Sequence, residues 1–366
     1  MILNLLFSSL ILFLLLFFGK NISSRAESDL SAIQVSHREP TSRLGGLAII
    51  LGISTIFFSF EVFDIEHYIF CSVFPVFIFG LLEDIHGNIN AKTRFLAAGI
   101  SAILAIFLTG LNLSRVDVEL FDAIIIFPLF GMIFTVFASS GLANSFNLID
   151  GINGFCSIVS FTIACSLGLL GDFYDEKGLS YLSYMIAISL IPFILLNYPF
   201  GLIFLGDAGA YSLGHLLCWI AIVLVSKNLD ISTWAILLIF FWPVTDTAFT
   251  IIRRRLSKVS SSIADSMHFH QLVMRFFELR SEERSFQRRW ANPLSTLILL
   301  PFALFPIYFA FLFIENKLLS TLTYLIFLMI YLSAYLCLIK ILIRMAEEKG
   351  KTKLLKQLRF AFKPQK

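Results

Sequence analysis

Five polar segments interrupt an otherwise apolar chain, and each carries residue types that can hold or move phosphate. LLEDIHGN (81–88) sets Glu83 beside Asp84 and is followed by Lys92 and Arg94, while FLGDAG (204–209) offers Asp207. NSFNLIDGINGF (144–155) offers Asn144, Asn147, Asp150 and Asn153; PTSRLGG (40–46) offers Arg43; and DSMHFHQ (265–271) offers His268 and His270. Carboxylates on separate helices can hold Mg²⁺, a hard cation that binds through one or two carboxylates plus substrate phosphates. The same acids at helix ends can instead cap backbone N–H groups, and the sequence leaves both readings open. If the helix entering NSFNLIDGINGF continues, Asn144, Asn147 and Asp150, three apart, share one face within about 120°, with Asn153 off it unless Gly151 breaks the turn. Such a stripe suits a nucleobase or sugar; the plainer alternative is a polar seam between two helices. His268 and His270, at i and i+2, cannot share a helix face, so extended or turning backbone is expected there. Two histidines without further N or S ligands at zinc spacing do not make a zinc site. The neighbouring Arg253, Arg254, Arg255 and Arg275 suit a polyanion or simple anchoring at a membrane face.

These segments need elements to position them, and composition says what kind. With 58% hydrophobic and 14% charged residues the chain is more apolar than a soluble core requires. Its 41 Phe are accommodated where helices face lipid. The five cysteines form no CxxC pair and read as small hydrophobes, implying neither disulfide nor metal. Met1 to Phe18 lacks a basic n-region and a small-x-small site, so it reads as a retained first helix.

Apolar runs fall near 1–18, 44–60, 68–82, 95–112, 123–140, 155–171, 179–197, 211–226, 232–252, 294–313 and 319–343. The expected fold is an all-α, polytopic integral membrane helix bundle of about eleven transmembrane helices. Residues 1–345 form a single transmembrane catalytic domain and 346–366 a basic cytoplasmic tail. Alternate loops differ sharply in charge. One set holds Lys20, Arg25, Arg38, Arg43, Lys92, Arg94, the 253–289 cluster and the tail; the other holds only Arg115, Lys177, Lys227 and Lys317 among many acids. The basic set is expected to be cytoplasmic, with the N-terminus outside and the C-terminus inside. All five polar segments then lie on the cytoplasmic side, as a site built from many loops. A transporter or flippase would instead place charges near mid-span and show internal symmetry, for which Asp246 is the sole weak candidate.

The ordered set PTSRLGG, Glu83–Asp84, NSFNLIDGINGF, FLGDAG, WPVTD (242–246) and HFH resembles the polyprenyl-phosphate N-acetylhexosamine-1-phosphate transferase family, across residues 37–270. The resemblance implies transfer of N-acetylhexosamine-1-phosphate from a UDP-N-acetylhexosamine to undecaprenyl phosphate, with release of UMP and Mg²⁺ as cofactor, or Mn²⁺ in its place. It implies Asp207 as metal ligand, and Glu83 and Asp84 as catalytic residues, either metal-proximal or a base for the lipid phosphate. Asn144, Asn147 and Asp150 are implied to line the nucleotide and phosphate site. Lys92, Arg94, Arg43, His268 and His270 are implied to bind substrate; Asp246 matches a family Asp without a derived role. The implied setting is the bacterial inner membrane, with the active site facing the cytoplasm, the bilayer as partner, no nucleic acid, and a homodimer left open.

Three positions depart from the family pattern: Glu83 replaces an Asp, Asn153 stands where many members have a second Asp, and Gln271 replaces a His. PTSRLGG and HFHQ resemble the hexosamine group, which starts surface polysaccharides such as O-antigen, more than the phospho-N-acetylmuramoyl-pentapeptide transferases, which are the alternative. A member without activity, serving as an assembly scaffold, is a further alternative.

Overall fold

A computed structural model of the protein describes residues 1–22, 41–58, 64–258, 265, 267–281 and 290–360. Residues 23–40, with Pro40 of PTSRLGG among them, residues 59–63, residues 259–264, 266 and 282–289 of the arginine-rich loop, and residues 361–366 of the tail lie outside the described residues. The described secondary structure is helical. In chain order it comprises α1 (Ile2–Ile22), α2 (Gly45–Ile53), α3 (Ile65–Ser72), α4 (Phe74–His86), α5 (Ala91–Thr109), α6 (Glu119–Ile125), α7 (Pro128–Ile149), α8 (Phe155–Phe173) and α9 (Lys177–Asn197). It continues with α10 (Gly206–Lys227), α11 (Thr233–Ile239), α12 (Phe241–Leu256), α13 (Phe269–Arg280), α14 (Ala291–Leu312), α15 (Lys317–Glu348) and α16 (Thr352–Phe360).

All eleven apolar runs fall on helices, but they do not all qualify as full spans. Among the described residues eight helices, with α3 and α4 counted together, are long and apolar enough to cross a membrane. A ninth span would be the pair α11 and α12, bent by 89° at Phe240. Pro243 explains the break, since it has no N–H to give the Ile239 carbonyl. Ile2–Phe18 and Gly45–Phe58 are apolar but shorter. This is a multi-pass membrane protein.

The axis of the bundle is α10, buried continuously from Gly206 to Val225. Small residues let its neighbours approach closely. A Cβ at Gly46 of α2 would run into the Gly209 backbone, one at Gly80 of α4 into Ala208, and one at Gly214 into Ala143 of α7. At the rim, α15 turns Leu318, Leu322, Ile326 and Met329 outward, as suits a helix whose solvent is lipid.

Candidate functional site

Four helix ends, those of α2, α4, α5 and α7, meet at the N-terminus of α10. No side chain from the preceding residues caps this helix. Asp84, in the last turn of α4, supplies the cap from across the bundle: Asp207 N–H donates to Asp84 Oδ1 at 2.9 Å and Ala208 N–H to Oδ2 at 2.8 Å. Of the two readings the sequence leaves open for this acid, the described contacts are those of a cap, fully buried at the positive end of a helix dipole. Arg43 Nε lies 3.9 Å from Asp84 Oδ1.

Backbone pairing brings Arg43 there. Gly45 and Gly46 N–H donate to the Phe204 and Leu205 carbonyls, and Phe204 N–H donates to the Ser42 carbonyl. Gly206 has φ +74, and a Cβ on it would meet the Arg43 carbonyl and the Asp84 carboxylate, so only glycine suits this crossing.

The carboxylate of Asp207 accepts a hydrogen bond on one oxygen and is held by an ion pair on the other. Asn147 Nδ2 donates to Oδ1 at 2.8 Å, while the buried Oδ2 accepts no hydrogen bond and meets Arg94 of α5 as an ion pair. Arg94 also lies over the Tyr211 ring, 6.0 Å from its centroid, and Tyr211 donates its hydroxyl proton to Asn144 Oδ1 at 2.8 Å. Asn144 and Asn147 thus share a face of α7 as expected, directed at Asp207 and Tyr211. The helix ends at Ile149, so Asp150 is its C-cap rather than a third member of the stripe. Burial pushes the Asp150 carboxyl up to about 7, against the opposing charge of Arg43.

Two expected residues have other partners. Glu83 Oε2 accepts the Ile89 N–H at 2.6 Å, so its longer side chain fastens the turn after α4. Lys92 is exposed in the first turn of α5 and joins none of these contacts. Asn153 belongs to a seam. Its N–H donates to Asn292 Oδ1, its Nδ2 to the Pro199 carbonyl, and its carbonyl accepts from Thr296. The substitution of Asp by Asn thus falls on a residue that ties NSFNLIDGINGF to α14. Asn197 completes the seam by accepting from Gly154 N–H and donating to the Ile203 carbonyl.

The histidine segment closes the site from the far side of Gly151. His268 is extended, at φ −63 and ψ 148, and precedes α13, whereas His270 lies in its first turn. Their rings nonetheless stack, with centroids 5.6 Å apart. A Cβ at Gly151 would strike His270 Nε2, which places this ring against the NLIDG turn. His270 is fully buried, yet neither ring nitrogen has a hydrogen-bond partner. Burial and the charge of His268 push it down to about 4. Burial alone would also lower His268, but Asp246 outweighs it and holds that ring above its ordinary value.

Sequence reasoning misses several of these residues. Tyr211 was findable, one helical turn beyond Asp207 and so on its face. Asn197, Asn292 and Thr296 carry no local signal, because their partners are remote in sequence. Tyr331 and Tyr335, four apart in an aliphatic helix, form a readable pair without a readable partner.

The donor set fits a hard divalent cation in part. Among the described residues no cluster of three or more His, Cys, Asp or Glu is arranged to hold a metal alone. Asp207 Oδ2, held by its ion pair to Arg94 and by no hydrogen bond, is nonetheless one oxygen ligand for such a cation, and Mg²⁺ needs only one or two carboxylates when phosphates complete its shell. Chemically, the end of the bundle offers one carboxylate paired with a cation, two guanidinium groups, an amide pair and a buried imidazole.

A sequence model described as glycosyl transferase family 4 matches residues 67–225. The probable undecaprenyl-phosphate N-acetylglucosaminyl 1-phosphate transferase of Bacillus subtilis (strain 168) is 26% identical over 243 residues, covering 66% of this chain and 67% of its own. The undecaprenyl-phosphate alpha-N-acetylglucosaminyl 1-phosphate transferase of Escherichia coli (strain K12) is 28% identical over 275 residues, covering 72% and 73%. The protein of that name from Yersinia pestis is 27% identical over 241 residues, covering 63% and 65%.

Proposed function

We propose that the chain is a member of glycosyl transferase family 4 that transfers N-acetylhexosamine-1-phosphate from a UDP-N-acetylhexosamine to undecaprenyl phosphate at the cytoplasmic face of a bacterial inner membrane. An oxygen of the lipid phosphate attacks the sugar-linked phosphorus, the bond from that phosphorus to the bridging oxygen breaks, and UMP leaves with the electron pair. The product, an undecaprenyl-diphosphate sugar, would start a surface polysaccharide such as O-antigen. The observation that carries this reading is Asp207, set at one end of a membrane bundle with one carboxylate oxygen held only by its ion pair to Arg94.

Phosphoryl transfer asks mainly for alignment and charge neutralisation. Asp207 would hold Mg²⁺, or Mn²⁺ in its place, and the ion when bound supplies charge to the diphosphate. Arg94 and Arg43 neutralise phosphate oxygens, and Asn147 holds Asp207 in orientation. Asn144, fixed by Tyr211, keeps its amide N–H groups for the nucleotide. Asp84 positions Asp207 by anchoring the start of α10.

The test is UMP release by the purified protein given undecaprenyl phosphate, Mg²⁺ and a panel of UDP-N-acetylhexosamines. Release with one donor is expected. Silence with every donor, while a relative is active in the same detergent, would overturn the reading.

A further inference from the structure

The WPVTD segment has no part in the chemistry above, yet its Asp246 is among the most enclosed charges in the protein. It lies in α12 and grips the histidine segment. His268 Nδ1 is 2.6 Å from Asp246 Oδ2, and Phe269 N–H donates to Oδ1 at 3.2 Å. Tyr331 of α15 donates its hydroxyl proton to the same Oδ1 at 2.7 Å. One turn along α15, Tyr335 donates to the Met267 carbonyl at 2.8 Å. Asp265, at the start of the segment, is paired with Arg253 of α12 and accepts the Met267 N–H at 2.9 Å. Phe269 stacks on Trp242, with centroids 5.5 Å apart, and meets Tyr331 edge-on. Every residue described from 265 to 269 is therefore tied to α12 or α15, whereas His270, stacked on His268, leaves both ring nitrogens without a partner beside Gly151.

We propose that Asp246 and Tyr331 form a buried latch that orients the two histidines, holding His268 by Nδ1 so that Nε2 is its nitrogen free for an anionic substrate, and aligning His270 through the ring stack. This makes Asp246 and Tyr331 positioning residues, and it rests on the transferase reading. A carboxylate behind an imidazole fixes ring orientation and proton location and favours the charged ring. The charged and titratable groups around His268 are Asp246 and Arg253 from α12, Asp265 and His270 from its own segment, and Tyr331 and Tyr335 from α15. Asp246 and Asp265 favour its protonation and Arg253 opposes it. The outcome is a division of labour, with His268 biased towards the charged ring for phosphate and His270 towards the neutral ring for a polar uncharged group.

The full-length protein, labelled with ¹⁵N-histidine in detergent without donor or acceptor, reads the latch directly, with His268→Gln assigning the resonance. In the wild type the His268 midpoint should lie above that of a free imidazole, with a proton on Nδ1. Asp246→Asn should lower that midpoint by about one pH unit or more. Tyr331→Phe, which strips a donor from the carboxylate and leaves it more basic, should raise it. In UMP release, Asp246→Asn should lower kcat about tenfold or more, with a smaller change in KM, and should add little to His268→Gln. A His268 midpoint unmoved in both folded variants would overturn the latch, and Tyr331→Phe decides the matter alone if Asp246→Asn does not fold. A wild type inactive with every donor would instead overturn the transferase reading, and the titration would still decide the latch.

Discussion

The two ends of α10 are capped by one chemistry with opposite sign. At the N-terminus the Asp84 carboxylate accepts the Asp207 and Ala208 N–H groups. At the C-terminus Arg115 donates through Nη2 to the carbonyls of Val225, Asn228 and Ile231. Each cap comes from another part of the chain and complements the helix dipole.

The difference lies in the second acid at each end. Asp117 accepts Arg115 on Oδ1, and both the N–H and the hydroxyl of Thr233 on Oδ2. Burial pushes its pKa up, but those donors outweigh it and hold it below the usual carboxylate range. Asp207 keeps an oxygen without a hydrogen bond. A carboxylate hydrogen-bonded on both oxygens is a fastening, and one held on an oxygen by an ion pair alone can exchange that cation for a ligand.

The most severe test of that contrast is Asp207→Asn. It should cut turnover by about a thousandfold and cost about 1–3 kcal/mol of stability, since the buried ion pair with Arg94 loses its anion. Lost stability with retained turnover would make the two ends equivalent. Asp84→Asn should hurt both, because the buried carboxylate makes two charge-assisted bonds. A loss of about 2–3 kcal/mol by denaturant unfolding is expected, with turnover falling alongside. Arg115→Ala should cost about 1–3 kcal/mol with kcat of the remaining folded protein unchanged, and a changed kcat would refute a purely structural role.

A subtler contrast concerns pH. Asp150, with a folded value of about 7 against an ordinary 3.8, binds its proton more tightly in the folded protein. Its contribution to stability therefore declines as pH rises from about 4 to about 7 and stays low above that. Asp150→Asn should match wild type in thermal unfolding at pH 4 and exceed it at pH 8 without substrate, whereas a constant difference would refute the shifted value. Asp117 has the opposite sign: its stabilisation is present above the ordinary value and is lost as pH falls through its lower folded one. The smallest effect belongs to Glu83→Asp, which withdraws the acceptor from Ile89 N–H. About 1 kcal/mol of stability should be lost, with kcat within about threefold of wild type.

Legibility followed the range of the interactions. Apolar runs and their polar interruptions are local, so helices and candidate segments could be read from the chain, as could the Asn144 and Asn147 face. The roles of Glu83 and Asn153 could not, since a side chain's residue type does not say which partner it meets. Glu83 looks like half of a catalytic pair and fastens a turn, and Asn153 looks like a lost acid and joins two helices. Hydropathy counts apolar length and is blind to a break such as that before Pro243, where one apparent span is a bent pair of helices.

By itself, the sequence determined a helical membrane bundle with its unusual polarity gathered in five segments. The reason is physical: in lipid, backbone hydrogen bonds must close within each helix, so apolar length dictates structure. Only the tertiary structure decided that Asp84 serves α10 while Asp207 is held by Asn147 and Arg94, and that Asp246 and Tyr331 hold His268 from behind. Those roles depend on which donors stand within about 3 Å, and such neighbours are chosen by helix packing across scores of residues.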